Sequence, residues 1–178
     1  YHVLCPDIFW RIEPGIEITD KTQEEWNQAF DLFGKFDAEK GVSDLISTIA
    51  HLRSMTNCTG KIGTVGYCLG GKMAYLMAAR SDAECSVSYY GVGLEGMLDE
   101  KSEITNPYMS HIASKDQFVP PEAQAQITTA LGEHPMATLH IYDGQDHAFA
   151  RHGGQHYDEA AAKLANDRTA AFFHSHLS

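Results

Sequence analysis

The hydrophobic positions form two patterns that alternate along the chain. Short apolar runs bounded by Gly, Pro and polar residues are typical of buried strands, and apolar residues three or four positions apart are typical of amphipathic helices. The runs predict strands at residues 1–5, 62–67, 85–90, 108–113 and 137–142. The helical spacing predicts helices at residues 22–34, 39–55, 69–80, 120–131 and 155–176. This alternation predicts one α/β domain over residues 1–178, a mainly parallel sheet with helices on both faces.

One residue, Cys68, separates the strand at 62–67 from the helix at 69–80. The surrounding pattern, Gly-x-Cys-x-Gly-Gly, resembles the nucleophile elbow of α/β-hydrolases with Cys in the place of Ser. A helix that begins directly after Cys68 directs its positive end at the sulfur and favours the reactive thiolate. The Leu69 N–H is then expected to donate to the oxyanion that forms during acyl transfer. Taken alone, Cys68 could equally be a small buried hydrophobe.

Two polar residues follow the ends of later strands. Asp116 comes after the strand at 108–113, and His147 comes after the strand at 137–142. The carboxyl ends of parallel strands meet at one edge of a sheet, and the order nucleophile, acid, histidine is that of α/β-hydrolases. We therefore predict a triad in which His147 moves the proton and Asp116 orients the imidazole. Asp143 and Asp146 are alternatives for the acid.

Composition narrows the functional classes. The net charge of −11 argues against a nucleic-acid partner, which needs clustered Lys and Arg. No apolar run approaches the ~20 residues of a membrane span, so no membrane partner is expected. Four cysteines without Cys-x-x-Cys spacing argue against a disulfide framework and favour a reducing cytoplasm. The histidine pairs His152/His156 and His174/His176 lack a third ligand, so we expect no metal and no cofactor.

Several stretches resemble the dienelactone hydrolase (carboxymethylenebutenolidase) family, and together they span essentially the whole chain. They are residues 3–7 (VLCPD), 66–71 (GYCLGG), 89–94 (YYGVGL), 116–120 (DQFVP), 147–151 (HAFAR) and 165–169 (ANDRT). The resemblance implies an α/β-hydrolase fold and a Cys-His-Asp hydrolase of lactones or esters, typically in the breakdown of aromatic compounds. Its partner would be a small-molecule lactone or ester, and we expect a monomer or weak homo-oligomer.

The resemblance also implies roles for three substrate-binding residues. Arg151 would hold a carboxylate of the substrate, and Tyr90 would line the pocket beside Cys68. Trp26 stands where the family has a second arginine, which predicts a less anionic substrate or one bound by stacking. Simple packing is the alternative for Trp26.

The family fold begins with strands that would precede Tyr1, together with a second oxyanion donor and an activating glutamate. If they are absent, the alternative hypothesis is that the protein is a catalytically impaired fragment or a binding module that retains the pocket. A redox-sensing thiol at Cys68 is a third hypothesis, and it ranks last because no resolving cysteine lies nearby in sequence.

Overall fold

The computed structural model describes all 178 residues, which form two compact units, Tyr1–Gly60 and Lys61–Ser178. The N-terminal unit contains helices α1 (Gln23–Lys35) and α2 (Ala38–Ser54). Thr22 caps α1, as predicted, and forms a capping box with Glu25. Both helices confirm the sequence prediction to within one or two residues at each end.

The predicted strand at residues 1–5 is wrong. These residues have no regular secondary structure, and the side chains of Tyr1 and Val3 are 80% exposed. A strand is held by the hydrogen bonds of a neighbouring strand, and residues 1–5 pair with none. The apolar run was therefore not sufficient to predict a strand.

The C-terminal unit is built on a four-stranded sheet in the order β1-β2-β3-β4, with every pair parallel. Its strands are β1 (Gly63–Tyr67), β2 (Cys85–Tyr89), β3 (Tyr108–Ala113) and β4 (Ala137–Tyr142). Its helices are α3 (Leu69–Arg80), α4 (Pro121–Leu131) and α5 (Glu159–Leu177), and a 3-10 segment at Leu94–Glu103 was not predicted.

Helices cover both faces of this sheet. The Tyr89 hydroxyl meets Thr169 of α5, whereas the hydroxyl of the preceding residue, Ser88, lies close to Gly71 of α3. Successive side chains of a strand point to opposite faces, so α5 and α3 lie on opposite sides of β2. This arrangement confirms the predicted α/β layers.

The strand register fixes where the functional residues meet. Tyr67 at the end of β1 pairs with Tyr89 at the end of β2, and Ala113 at the end of β3 pairs with Tyr142 at the end of β4. Because all four strands run the same way, the loops that follow them emerge at one edge. Cys68, Asp116 and His147 lie in three of these loops.

Candidate active site

Cys68 occupies a strained turn between β1 and α3. Its backbone has φ 57° and ψ −117°, in the region that residues with a Cβ rarely adopt. The Cys68 N–H donates to the carbonyl of Tyr89 at 3.0 Å, and its carbonyl accepts from the N–H of Gly71 at 2.9 Å. These bonds hold the turn from both sides and present the thiol at its apex.

Two glycines of the turn are required by close backbone approach. A Cβ on Gly66 would lie 1.8 Å from the carbonyl oxygen of Gly70, and one on Gly71 would lie 2.6 Å from that of Tyr89. Neither contact is compatible with a side chain. Gly70, by contrast, faces open space, with no atom within 4 Å of a Cβ placed there. Gly66 and Gly71 are therefore the glycines of the motif that close packing requires.

Asp116 holds the imidazole of His147 from behind. Asp116 Oδ2 lies 2.8 Å from His147 Nδ1, and the side chains are only 1% and 8% exposed respectively. The other carboxylate oxygen of Asp116 accepts the N–H of Phe118 at 2.9 Å. With both oxygens engaged, the carboxylate has a fixed orientation toward the ring.

The two rival acids lie elsewhere. Asp146 accepts the main-chain N–H of His147 at 2.6 Å, and Asp143 accepts the Ser114 hydroxyl at 3.3 Å. Neither contacts the His147 ring by a hydrogen bond, so the geometry favours Asp116 for the orienting role.

The charge of His147 is set by its two neighbours. Burial alone would lower the pKa of its imidazole, but side-chain hydrogen bonds to Asp116 and Cys68, and the negative charges of both, raise it to about 9. At neutral pH the ring is therefore an imidazolium that interacts with the Asp116 carboxylate and with the Cys68 side chain. The protonated ring is a proton donor and can serve as a general acid.

Aromatic rings enclose the His147 imidazole. The Tyr90 ring lies edge-to-face with it at 5.1 Å between centroids, and the Phe118 ring does so at 4.8 Å. Phe118 lies in the family-like stretch 116–120 and had no predicted role of its own. Its position two residues after the acid, in the turn that the acid itself caps, is the signal that could have identified it.

The remaining predicted residues of the C-terminal unit lie around this centre. Leu69 is the first residue of α3, where a main-chain N–H has no intrahelical acceptor. Tyr90 is buried, with φ 38°. Burial is the main cause that raises the pKa of Tyr90; Cys68 raises it further, and the exposed Arg151 partly opposes the shift. Cys68 and Arg151 therefore both lie within electrostatic reach of the Tyr90 hydroxyl.

Trp26 belongs to the N-terminal unit. Its indole N–H donates to the carbonyl of Asp20 at 3.1 Å, and its ring stacks on Phe30 at 5.7 Å between centroids. These contacts account for its packing, and its role toward substrate stays a prediction.

No three His, Cys, Asp or Glu side chains of the structure are grouped as metal ligands would be. None of the helices has the length and hydrophobicity that a bilayer span requires.

The family model for dienelactone hydrolases matches residues 1–177. The chain belongs to the dienelactone hydrolase family. Among its relatives, a candidate carboxymethylenebutenolidase of Azospirillum brasilense is 50% identical over 175 residues, which is 98% of this chain and 75% of that protein. Carboxymethylenebutenolidase 1 of Cupriavidus pinatubonensis is 42% identical over 93% of this chain and 70% of its own length. The carboxymethylenebutenolidase of Pseudomonas putida is 39% identical over 97% and 73%.

Solved structures agree on the dienelactone hydrolase fold. A candidate dienelactone hydrolase from Klebsiella pneumoniae superposes with a TM-score of 0.74 at 22% identity, over 87% of this chain and 68% of that one. Together with the family match, this similarity identifies an α/β-hydrolase fold. Membership in the family makes the protein a hydrolase of lactones or esters.

Proposed function

We propose that this member of the dienelactone hydrolase family cleaves its substrate through a thioester on Cys68, with His147 and Asp116 as the other members of a catalytic triad. The observation that carries the proposal is the 2.8 Å bond between Asp116 Oδ2 and His147 Nδ1. The same imidazole also interacts with the side chain of Cys68. These two interactions support a Cys-His-Asp triad, the arrangement that acyl transfer on a cysteine uses.

Acylation starts from the thiolate–imidazolium pair. The Cys68 sulfur attacks the carbonyl carbon of the lactone or ester, a C–S bond forms, and the carbonyl oxygen becomes an oxyanion. The Leu69 N–H, at the positive end of α3, is the group we assign to stabilise that oxyanion. When the intermediate collapses, the C–O bond breaks, and the leaving alkoxide takes the proton of the His147 imidazolium.

Deacylation returns the proton. The neutral His147 accepts a proton from a water molecule as the water oxygen attacks the thioester carbonyl. Collapse of this second intermediate breaks the C–S bond and releases the carboxylic acid. Cys68 leaves as the thiolate beside a reprotonated imidazolium, which is the starting state. Asp116 stays ionised throughout and stabilises the imidazolium.

Arg151 and Tyr90 support a small-molecule substrate with a negative charge near the scissile bond. The exposed guanidinium of Arg151 and the sulfur of Cys68 both influence the buried Tyr90 hydroxyl, which supports a position for the cation near the nucleophile. Trp26 in the place of the second family arginine remains our candidate specificity residue. A panel of anionic lactones and neutral esters tests this assignment.

Cys68→Ala is the variant that tests the proposed function, with Cys85→Ala as the matched control. Burial raises the pKa of the Cys85 thiol to about 12 and keeps it unreactive. Removal of the nucleophile is expected to lower kcat for a dienelactone or an activated aryl ester by at least about 10³-fold. Cys85→Ala is expected to retain turnover. Unchanged turnover in Cys68→Ala would sink the proposal, and a folded wild-type chain that binds lactone without hydrolysing it would instead support the binding-module alternative.

A further inference from the structure

A row of aromatic side chains crosses the sheet one residue before the turn at Cys68. The strand register pairs Tyr67 with Tyr89, Tyr89 with His111, and His111 with His140. Their ring centroids are 4.6, 4.3 and 5.6 Å apart in that order. The row therefore spans all four strands on the face that α5 covers, and His111 is completely buried within it.

Both ring nitrogens of His111 have hydrogen-bond partners. Nδ1 lies 2.8 Å from the Tyr142 hydroxyl, and Nε2 lies 3.0 Å from the Thr169 hydroxyl of α5. The Tyr142 oxygen also accepts a bond from Nη1 of Arg168, on the same helix, at 3.1 Å. His111 is thus linked to α5 directly through Thr169 and indirectly through Tyr142.

The network continues from Thr169 to the second strand. The Tyr89 hydroxyl donates to Oδ1 of Asn166 at 3.0 Å, so it accepts from the Thr169 hydroxyl, which lies 2.6 Å away. Each hydroxyl has one proton. The Thr169 hydroxyl uses its proton in the hydrogen bond to Tyr89, so its oxygen is left to accept the Nε2–H of His111.

Arg168 sets the direction of the whole chain of bonds, since a guanidinium can only donate. The Tyr142 oxygen accepts from Arg168, and the Tyr142 proton points to Nδ1 of His111. In the reverse direction His111 would donate from Nδ1, and the Tyr142 proton would have no acceptor. One tautomer of His111, neutral with the proton on Nε2, satisfies every group.

Two main-chain bonds connect this network to the nucleophile turn. The carbonyl of Tyr89 accepts the N–H of Cys68 at 3.0 Å, and the carbonyl of His111 accepts the N–H of Tyr90 at 2.8 Å. Cys68 and Tyr90 are two of the three residues other than glycine with positive φ, at 57° and 38°. Strained backbone persists only where its surroundings fix it.

We propose that His111, as the Nε2–H tautomer, is a positioning residue for the reaction. It ties Tyr89 and Tyr90 to helix α5 and thereby fixes the two strained backbones that present the thiol and line the pocket. The inference rests on the proposed function of Cys68, but the assigned tautomer does not. Such fixing matters because a misplacement of about 1 Å can cost about 10²-fold in rate.

The surroundings of His111 agree with a permanently neutral ring. Burial, with smaller contributions from His140 and Arg168, lowers the pKa of its imidazole to about 3. No carboxylate contacts the ring. A neutral ring can both accept and donate, which no other side chain of this shape can do.

Nitrogen-15 NMR of the imidazole side chains tests the tautomer without reference to catalysis. We expect His111 to show a protonated Nε2 and an unprotonated Nδ1 that do not change between about pH 5 and pH 8. A protonated Nδ1, or titration of His111 within that range, would overturn the assignment.

Kinetics per active site tests the positioning role. His111→Phe keeps an aromatic ring and removes both side-chain bonds, and His140→Phe is the matched control because the His140 ring stacks in the same row and its contact with His111 is a ring contact. We expect His111→Phe to lower kcat per titrated Cys68 by about 10- to 100-fold with KM little changed, and His140→Phe to change it by less than about twofold. A purely structural role would lower the number of titratable sites and leave kcat per site unchanged, which would refute the inference.

Thr169→Val removes the bond to His111 Nε2 together with the bond between Thr169 and Tyr89 but keeps the His111 ring, and it replaces His111→Phe if that variant does not fold. It is expected to lower kcat per site in the same direction, and an unchanged value would refute the role equally. The function test separates the two proposals. If Cys68→Ala keeps turnover, the proposed function fails. If Cys68→Ala is inactive and His111→Phe is normal per site, the inference alone fails.

Discussion

At the scale of the residue, the imidazole of His147 interacts with the Asp116 carboxylate and with the side chain of Cys68. Its raised pKa therefore has two specific sources that mutation can separate. Asp116 contacts the ring, whereas Asp146 contacts only the main-chain N–H of His147. Substitution of each acid in turn therefore compares a carboxylate bonded to the ring with a carboxylate that is only near it.

We predict that Asp116→Asn lowers the pKa of His147 from about 9, because it removes the charge and the acceptor on Nδ1. NMR titration of the ring measures the change. Asp146→Asn is the control and should have a much smaller effect. An equal fall in both variants would show that general negative charge, and not the Asp116 bond, holds the proton on the ring.

Arg151 gives the second residue-scale prediction. If its guanidinium binds a carboxylate, Arg151→Ala should lower kcat/KM for an anionic lactone by about 10- to 100-fold, the value of one charged hydrogen bond. Hydrolysis of a neutral aryl ester is the internal control, because it offers no carboxylate to the guanidinium. A similar loss on both substrates would assign Arg151 to the structure of the loop.

At the scale of the element, the strand–turn–helix unit around Cys68 depends on close backbone contact. We predict that Gly66→Ala destabilises the protein by about 1–3 kcal/mol or more and abolishes activity, since its Cβ would meet the Gly70 carbonyl oxygen at 1.8 Å. Gly70→Ala is the matched control, with open space around its Cβ. Thermal unfolding measures both. Equal melting temperatures would contradict the steric reading.

The sequence predicted this unit well because its signals are local. Apolar run, glycine spacing and helical periodicity all lie within residues 62–80, and β1 and α3 were found to within one residue. The positions of Asp116 and His147 in loops after β3 and β4 were also predicted from local signals, because each residue follows an apolar run that predicts a strand. Helix α5 begins at Glu159, four residues later than predicted, because Asp158 caps it and Gly153, with φ 76°, belongs to a turn.

Features that depend on distant partners were missed. The run at residues 1–5 looks like a strand, but only a neighbour could make it one. The 3-10 segment Leu94–Glu103 has one buried residue, Leu94, so no apolar stripe marked it. The network of His111 joins residues 58 positions apart, and no pattern in a single sequence shows which buried polar groups will meet.

At the scale of the whole molecule, the charge of His147 is linked to stability. Its folded pKa, about 9, lies above its ordinary value of 6.5, so folding favours the protonated ring. The stabilisation is fully present below pH 6.5 and is lost as the pH rises through 9. We predict that His147→Gln lowers the free energy of unfolding more at about pH 6 than at about pH 9.5. Urea denaturation measures both, and a larger difference at high pH would contradict the linkage.

The central claim, that Cys68 carries the acyl group, is tested most directly by trapping the intermediate. The wild-type protein is mixed with an activated aryl ester, quenched in acid within one turnover, and digested for peptide mass mapping. We predict one acyl group on the peptide that contains Cys68, absent in Cys68→Ala and retained in Cys85→Ala. An acyl group on any other residue, with turnover intact, would contradict the account.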